Sequence, residues 1–183
     1  MRVRRLLEKH MDFIVCSRLT ARLAQKDYPG LLTFMELGPE SYLTRIVLIF
    51  SRAGQTEIED GMRIGVDESS YDHPSLVRAA SRGKSVTFVP QSYNQIISKT
   101  RKGEIDATAW SQDEIEERYP GLNMVPAENS DEMKTVSYES ACGAILTRED
   151  TKACASILKE VLDLEKLHRI QKEVMDGKKI PSY

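Results

Sequence analysis

The stretch "GEIDATAW", residues 103–110, has a near-copy in "KHMDFIVCS", residues 9–17. When the two are aligned on Asp106 and Asp12, an apolar run follows each aspartate and a serine follows each run. Each copy predicts a turn, an aspartate that hydrogen-bonds the turn, a buried strand, and a serine at the strand's carboxyl end, where open α/β sheets bind ligands. The repeat predicts two α/β lobes of related topology, although helix, turn, aspartate and strand also recur by chance in α/β proteins.

A β-α-β unit precedes the second copy. Residues 62–67, "MRIGVD", and 85–90, "SVTFVP", predict strands, and the segment between them predicts a loop and a helix. Pro74 suits the first turn of that helix and Gly83 suits its end. The expected geometry is a parallel pair of strands with a right-handed crossover.

Other apolar patterns predict further strands and helices along the chain. Residues 150–179 carry two apolar stripes out of phase with one another, which predicts a bend or two helices. The carboxyl-terminal "IPSY" is expected to lie on the surface or dock as a tail. Further strands are predicted in 11–17, 31–37, 44–52, 105–110, 122–128 and the end of 137–148, and helices in 18–27, 92–103 and 113–120.

The composition is that of an ordinary globular protein, with 40% apolar and 30% charged residues in 183. A net charge of −2 gives no overall attraction to phosphates, so direct nucleic-acid binding by this segment is not expected. We expect no membrane span, because no apolar run approaches the roughly 18 residues that one needs. The absence of a secretory signal pattern predicts a cytoplasmic protein. Three cysteines and three histidines lack metal-ligand or redox spacing, so neither a metal nor another cofactor is expected.

Four segments together resemble the C-terminal domain of the YhfZ family, over about residues 2–183. They are "GEIDATAW", "AILTRED" at 144–150, "ELGPESYL" at 36–43 and the closing "PSY". The family is similar to type 2 periplasmic-binding-protein folds, in a cytoplasmic version carried by proteins that also resemble helix-turn-helix regulators. The resemblance implies a two-lobed clamp that closes on a small molecule in a cleft between the lobes, with DNA contacted only through a module outside this chain.

Combining the resemblance with the repeat predicts two three-layer α/β/α lobes joined by two crossovers. Lobe I comprises 1–52 and 142–183, lobe II comprises 62–132, and the hinges are 53–61 and 133–141. The β-α-β unit before the second copy has no counterpart before the first, so lobe I is expected to lack its first β-α-β elements. A start codon assigned late, a shortened chain and a natural truncation all remain open. An uncovered sheet edge promotes association, which predicts a homodimer or strand exchange.

The residues that end the repeated strands are the first candidate ligand contacts. Ser17 and Arg18 offer a hydroxyl and a guanidinium fork, and Ser111 follows Trp110, which offers a flat apolar wall. The alternative for Trp110 is a core position.

Further candidates lie in loops. The loop after residues 62–67 supplies Asp67, Ser69 and Ser70 at the start of a helix, where amides and hydroxyls bind anions. Its acidity favours a polyol, an amine or a zwitterion instead, and the alternative is that Asp72 or Ser75 merely caps the helix. The connections between elements add four more residues. Tyr42 is a candidate contact with Ser41 beside it, Glu139 is a candidate contact or a hinge residue, and Arg52 is expected to be a surface charge.

The leading hypothesis is therefore a small-molecule-sensing domain without catalysis. A solute-binding protein of a transport system is the first alternative, and the missing export signal counts against it. A small α/β enzyme is the second alternative. Against it, the sequence shows no nucleophile paired with a base, no phosphate-binding loop and no metal cluster.

Overall fold

The computed structural model describes residues 2–39, 41–42, 45–112, 115, 119, 121–176 and 178. The chain divides into two compact units: unit 1 is 1–44 with 141–183, and unit 2 is 45–140. Both units combine sheet and helix, so the expected mixed α/β class is confirmed.

Unit 1 is built on a three-stranded antiparallel sheet of order β1-β8-β2, in which β8 pairs with both neighbours. Helix α2 packs its buried Leu19, Ala21 and Ala24 on this sheet. The carboxyl-terminal segment forms two helices, one of the two predicted outcomes: the first ends at Val161, and Asp163 caps the second by accepting from the N–H of Lys166 at 2.9 Å. Its described elements are α1 Arg2–Leu7, β1 Phe13–Ser17, α2 Arg18–Asp27, β2 Leu31–Gly38, β8 Gly143–Arg148, α6 Lys152–Val161 and α7 Leu164–Met175.

Unit 2 is built on a five-stranded sheet of order β5-β4-β6-β3-β7. Strand β4 is parallel to β5 and β6, which confirms the predicted parallel β-α-β unit, whereas β3 is antiparallel to β6 and β7. All five residues of β3 are buried. Its described elements are β3 Ile46–Phe50, β4 Arg63–Val66, α3 Asp72–Ala80, β5 Thr87–Pro90, α4 Tyr93–Arg101, β6 Ala107–Ser111, β7 Asn123–Pro126 and α5 Asp131–Ala141.

The observed division corrects the predicted one at the first boundary. Residues 44–52 were assigned to lobe I, but β3 pairs with β6 and β7 and so belongs to unit 2. An apolar run shows that a strand is buried and does not show which sheet it joins. The proposed hinge 133–141 is helical, as part of α5. The helix predicted in 113–120 falls mostly outside the described residues, and the tail predicted at 180–183 falls entirely outside them.

Candidate functional site

In unit 2, polar and aromatic side chains gather where the parallel strands end. Asp67 follows β4, Tyr93 comes three residues after β5, and Ser111 is the last residue of β6. Because the carboxyl ends of parallel strands share one edge of a sheet, these residues come from three strands to one edge. This is the position at which open α/β sheets bind ligands.

The loop after β4 is held by its own hydrogen bonds. The carboxylate of Asp67 is buried, and its Oδ1 accepts from the N–H and the hydroxyl of Ser69 at 2.9 and 2.6 Å. The Oγ of Ser70 accepts from the N–H of His73 at 3.3 Å, near the start of α3. Ser70 thus bonds to the first turn of α3, and the bonds to Asp67 hold Ser69 in position.

His73 fastens this loop to the sheet. Its ring is 6% exposed, and Nδ1 accepts from the N–H of Asp67 at 3.0 Å. Nε2 lies 3.0 Å from the carbonyl oxygen of Ala109 and therefore carries the proton. Burial lowers the pKa of His73 to about 4, so the imidazole is neutral at ordinary pH. His73 is not among the residues predicted from the sequence. A signal was present, since it stands three and four residues before the buried Leu76 and Val77 on one helix face.

Trp110 is a core residue, 4% exposed. The ring of Tyr93 lies over it with a centroid distance of 4.1 Å, and His73 meets it edge-on at 5.8 Å. Tyr93 is 39% exposed. The aromatic surface predicted at Trp110 is thus presented by Tyr93, with Trp110 supporting it from below. Applying the strand-end rule to β5 as well as β4 and β6 would have found Tyr93.

The predicted contact Glu139 is half-buried near the end of α5. The start of that helix is connected to the end of α3 through an ion pair between Arg82 and Glu132 and a hydrogen bond from Asn129 to the carbonyl of Ala80.

The predicted residues of unit 1 separate into structural and accessible ones. Ser17 is buried, and its Oγ accepts from the N–H of Thr20 at 2.9 Å as the cap of α2. Arg18 keeps a partly exposed guanidinium, 3.7 Å from the carboxylate of Glu36. The hydroxyl of Tyr42 lies 3.1 Å from Nη1 of Arg2, which donates to it.

Ser41, beside Tyr42, is a structural residue. Its Oγ donates to the carbonyl of Gly38 at 2.6 Å and accepts from the buried N–H of Gly143 at 2.7 Å. Of the unit 1 candidates, Arg18 and Tyr42 present side chains that a ligand could reach.

The repeated aspartates directly precede their strands, but their carboxylates bond to arginines of neighbouring strands and not, as predicted, to the turn. Asp106 accepts from the backbone N–H of Arg63 at 2.8 Å and from its guanidinium at 2.9 and 3.0 Å. These bonds from Arg63 lower the pKa of Asp106. The carboxylate of Asp12 lies 3.4 Å from Nη2 of Arg148. Both aspartates hold a strand start, so neither is a ligand contact by this geometry.

Each unit also contains a cavity away from the predicted residues. In unit 2 a cavity of about 190 Å³ lies at the starting end of β6; in unit 1 an open cavity of about 420 Å³ lies beside Tyr28 and Arg148. Arg52, expected to be a surface charge, lines the first cavity. The complete linings are Ser51, Arg52, Gln55, Glu59, Asp60, Gly61, Met62 and Asp106 for the first, and Leu7, Asp27, Tyr28, Pro29, Gly30, Leu31, Arg148, Glu149 and Asp150 for the second.

In the described part of the chain, no three histidine, cysteine or acidic side chains are grouped so as to hold a metal ion. Cys16 and Cys142 are buried thiols and Cys154 is an exposed one. None of the helices described is both long enough and apolar enough to cross a membrane.

The chain matches a known protein family over its whole length. The model of the YhfZ C-terminal domain matches residues 1–183. The protein YhfZ of Escherichia coli (strain K12) is 31% identical over 185 residues, a match that takes in 100% of this chain and 58% of that protein. The chain therefore spans rather more than half the length of this relative.

Two solved structures show the same architecture. The crystal structure of YhfZ from Shigella flexneri superimposes with a TM-score of 0.70 at 28% identity, covering 100% of this chain and 76% of that one. The alkanesulfonate-binding protein SsuA from Xanthomonas axonopodis pv. citri, bound to MOPS, gives a TM-score of 0.69 at 15% identity, covering 97% and 62%. The fold is that of periplasmic binding proteins.

Proposed function

Because the chain belongs to the YhfZ C-terminal domain family, we propose that it is the ligand-sensing domain of a transcriptional regulator. In this proposal it binds a small polar molecule and catalyses no reaction. Contact with DNA falls to a helix-turn-helix module outside this chain. The likeness to SsuA supports the binding step, since that fold is built to enclose a small molecule.

The observation that carries the proposal is the edge of unit 2 where three parallel strands end. A buried carboxylate at Asp67, hydroxyls at Ser69 and Ser111, and the exposed ring of Tyr93 lie along this edge. Such a set offers hydrogen-bond acceptors, donors and an apolar face, and it fits a polyol, an amine or a zwitterion better than a simple anion.

A thermal-shift screen of polyols, amines and amino acids tests the proposal. A true ligand raises Tm by an amount that grows with the logarithm of its concentration above Kd, and it is recovered chemically unchanged by mass spectrometry. Tyr93→Ala should weaken that ligand at least about tenfold, as expected for an aromatic anchor. The matched control is Tyr138→Ala, which removes another exposed tyrosine, on α5, and should leave Kd unchanged.

Two outcomes distinguish the alternatives. Conversion of the bound compound into a product would replace the sensor with a small α/β enzyme. Binding without any effect of the compound on DNA affinity, in a longer protein that carries the domain, would favour a solute-binding protein for transport. The fold likeness to SsuA supports that alternative as well as it supports sensing.

The remaining parts of the proposal concern assembly and location. We expect a homodimer in the cytoplasm, where a regulator meets DNA. Sedimentation equilibrium of the chain measures the first, and fractionation of cells that express it measures the second.

A further inference from the structure

The cavity of about 190 Å³ in unit 2 lies at the end of the sheet opposite the edge with Asp67 and Ser111, the strand-end site. Its wall includes Asp106, which directly precedes β6, whereas Ser111 is the last residue of that strand. A strand rises about 3.3 Å per residue, so roughly 16 Å of β6 separates the cavity from the strand-end site. At roughly 30 Å³ for one water molecule, the cavity equals the volume of about six waters, which is room for one small organic molecule.

Most of the cavity wall comes from the loop 51–62, which joins β3 to β4 and is held by hydrogen bonds at both ends. Near its start, the side-chain amide of Asn123 on β7 donates to the carbonyl oxygen of Arg52 at 2.9 Å. Near its end, Oδ1 of Asp60 accepts from the backbone N–H of Ser85 at 2.6 Å. Because these bonds already fix the backbone of the wall, a ligand would not have to order the loop on binding.

The cavity carries charges of both signs. Its described lining has one cationic side chain, that of Arg52, and three acidic ones, those of Glu59, Asp60 and Asp106. Asp106 is paired with Arg63, and Asp60 accepts from a backbone N–H. Among the residues that the structure describes, no partner bonds to the guanidinium of Arg52 or to the carboxylate of Glu59, and both residues are exposed. One positive and one negative group of the wall are therefore available to a ligand.

We propose that this cavity is a second binding site, for a small zwitterion that carries a carboxylate and an ammonium group. The carboxylate of the ligand pairs with the guanidinium of Arg52, whose planar fork matches a carboxylate, and the ammonium group pairs with Glu59. A simple anion would lie beside the acidic side chains of the wall, and a simple amine would lie beside Arg52, so each would leave one charge of the cavity unpaired. The second site is separate from the strand-end site and does not depend on the function proposed for it.

The test is an NMR titration of the isotope-labelled 183-residue chain with three zwitterions that differ in the spacing of their charges: glycine, β-alanine and γ-aminobutyrate. Butyrate and butylamine, which carry one charge each, are titrated in the same way. We expect at least one zwitterion to move the backbone signals of residues 51–62 in a saturable manner below about 10 mM, while those of residues 67–73 stay in place. The two single-charge compounds should bind at least about tenfold more weakly, because each lacks one of the two charge-assisted contacts.

Two variants each remove one charge from the wall. Arg52→Gln and Glu59→Gln should each weaken the tightest-binding zwitterion at least about tenfold. The matched controls are Arg101→Gln on α4 and Glu57→Gln on the same loop, which change exposed residues outside the lining and should leave Kd unchanged. Because all four side chains are exposed, the variants should keep the circular dichroism spectrum of the parent.

Four results would overturn the proposal. The first is that none of the three zwitterions moves the signals of residues 51–62 up to about 10 mM. The second is that butyrate or butylamine binds as tightly as the zwitterions. The third is an unchanged Kd in Arg52→Gln or Glu59→Gln. The fourth is a zwitterion that moves the signals of residues 67–73 instead and is lost in Tyr93→Ala, which would assign it to the strand-end site and support the function proposed there.

Discussion

Acidification should destabilise this protein first through protonation of His73, and only at lower pH through protonation of its carboxylates. The folded state holds the imidazole neutral, with a pKa of about 4 against 6.5 for an ordinary histidine. The unfolded chain takes up a proton below pH 6.5, whereas the folded chain does so only near pH 4. Stability from this group is therefore complete above pH 6.5 and is lost as the pH falls toward 4.

The size of this loss of stability follows from the difference between the pKa values of His73 in the unfolded and folded states. Each unit of pKa difference corresponds to about 1.36 kcal/mol, so the difference from 6.5 to about 4 is worth roughly 3 kcal/mol at its limit. A change of this size is a large fraction of the stability of a domain of ordinary size. The carboxylates with lowered pKa, such as Asp106, contribute only nearer pH 4. The interval from pH 6.5 to 5 therefore isolates the imidazole.

The assay is urea denaturation at half-unit steps of pH from 7.5 to 5, followed by circular dichroism. In the parent chain the free energy of unfolding should fall with a slope approaching 1.36 kcal/mol per pH unit. In His73→Ala it should be lower at pH 7.5, by about 2–5 kcal/mol, because the N–H of Asp67 and the carbonyl of Ala109 lose a buried partner. The slope should also disappear. His10→Ala, which removes an exposed imidazole, serves as the control for loss of a histidine.

A parent curve that is flat between pH 6.5 and 5 would refute the reasoning. So would an undiminished slope in His73→Ala, because the protons would then be taken up elsewhere.

Three further predictions concern packing and hydrogen bonds. Gly65→Ala should lower stability by about 1–3 kcal/mol, since its Cβ would stand 3.0 Å from Ile96, whereas Gly30→Ala, with open space around it, should be close to neutral in thermal unfolding. Ser41→Ala should cost about 1–3 kcal/mol in urea denaturation, because the buried N–H of Gly143 loses its acceptor; Ser156→Ala on the exposed side of α6 is its control. Asp106→Asn should lower the midpoint of thermal unfolding by a few degrees at pH 7 and by less at pH 3, because the lowered pKa means that its stabilisation is lost as the pH falls through that value.

Strands were predictable from sequence because each is a short apolar run with polar bounds. The two missed helices lack such a signal. In α1 the buried residues Val3 and Leu6 span less than one turn of helix, and in α5 the one large apolar side chain that is buried is Met133, within a largely polar sequence. The sheet that receives β3 depends on pairing with β6, more than 50 residues later, which no local pattern encodes.

The candidate site was partly predictable for a related reason. The strand-end rule predicts the positions of Asp67, Ser69 and Ser111 at or just after the ends of β4 and β6, because it needs only local sequence and a parallel sheet; their contact with a ligand stays a prediction. It fails for Trp110, since burial there depends on the ring of Tyr93 lying over it, a contact between α4 and β6. It also fails for Ser17 and Ser70, whose hydroxyls bond to nearby backbone N–H groups at the start of a helix. The residue types that hydrogen-bond to the backbone at helix starts are also those that bind ligands, so local sequence does not separate the two roles.

Because β1 and β2 pair with β8 and not with each other, the sheet of unit 1 is completed only after β8 has been synthesised. Both outer strands lie within residues 13–38, but the strand that joins them follows more than 100 residues later. All strands of the unit 2 sheet lie between β2 and β8 in sequence, and the last of them ends at residue 126. During translation, β1 and β2 therefore remain without their partner β8 while the sheet of unit 2 forms. A chaperone that binds nascent chains would meet Phe13 and Val15 throughout that interval.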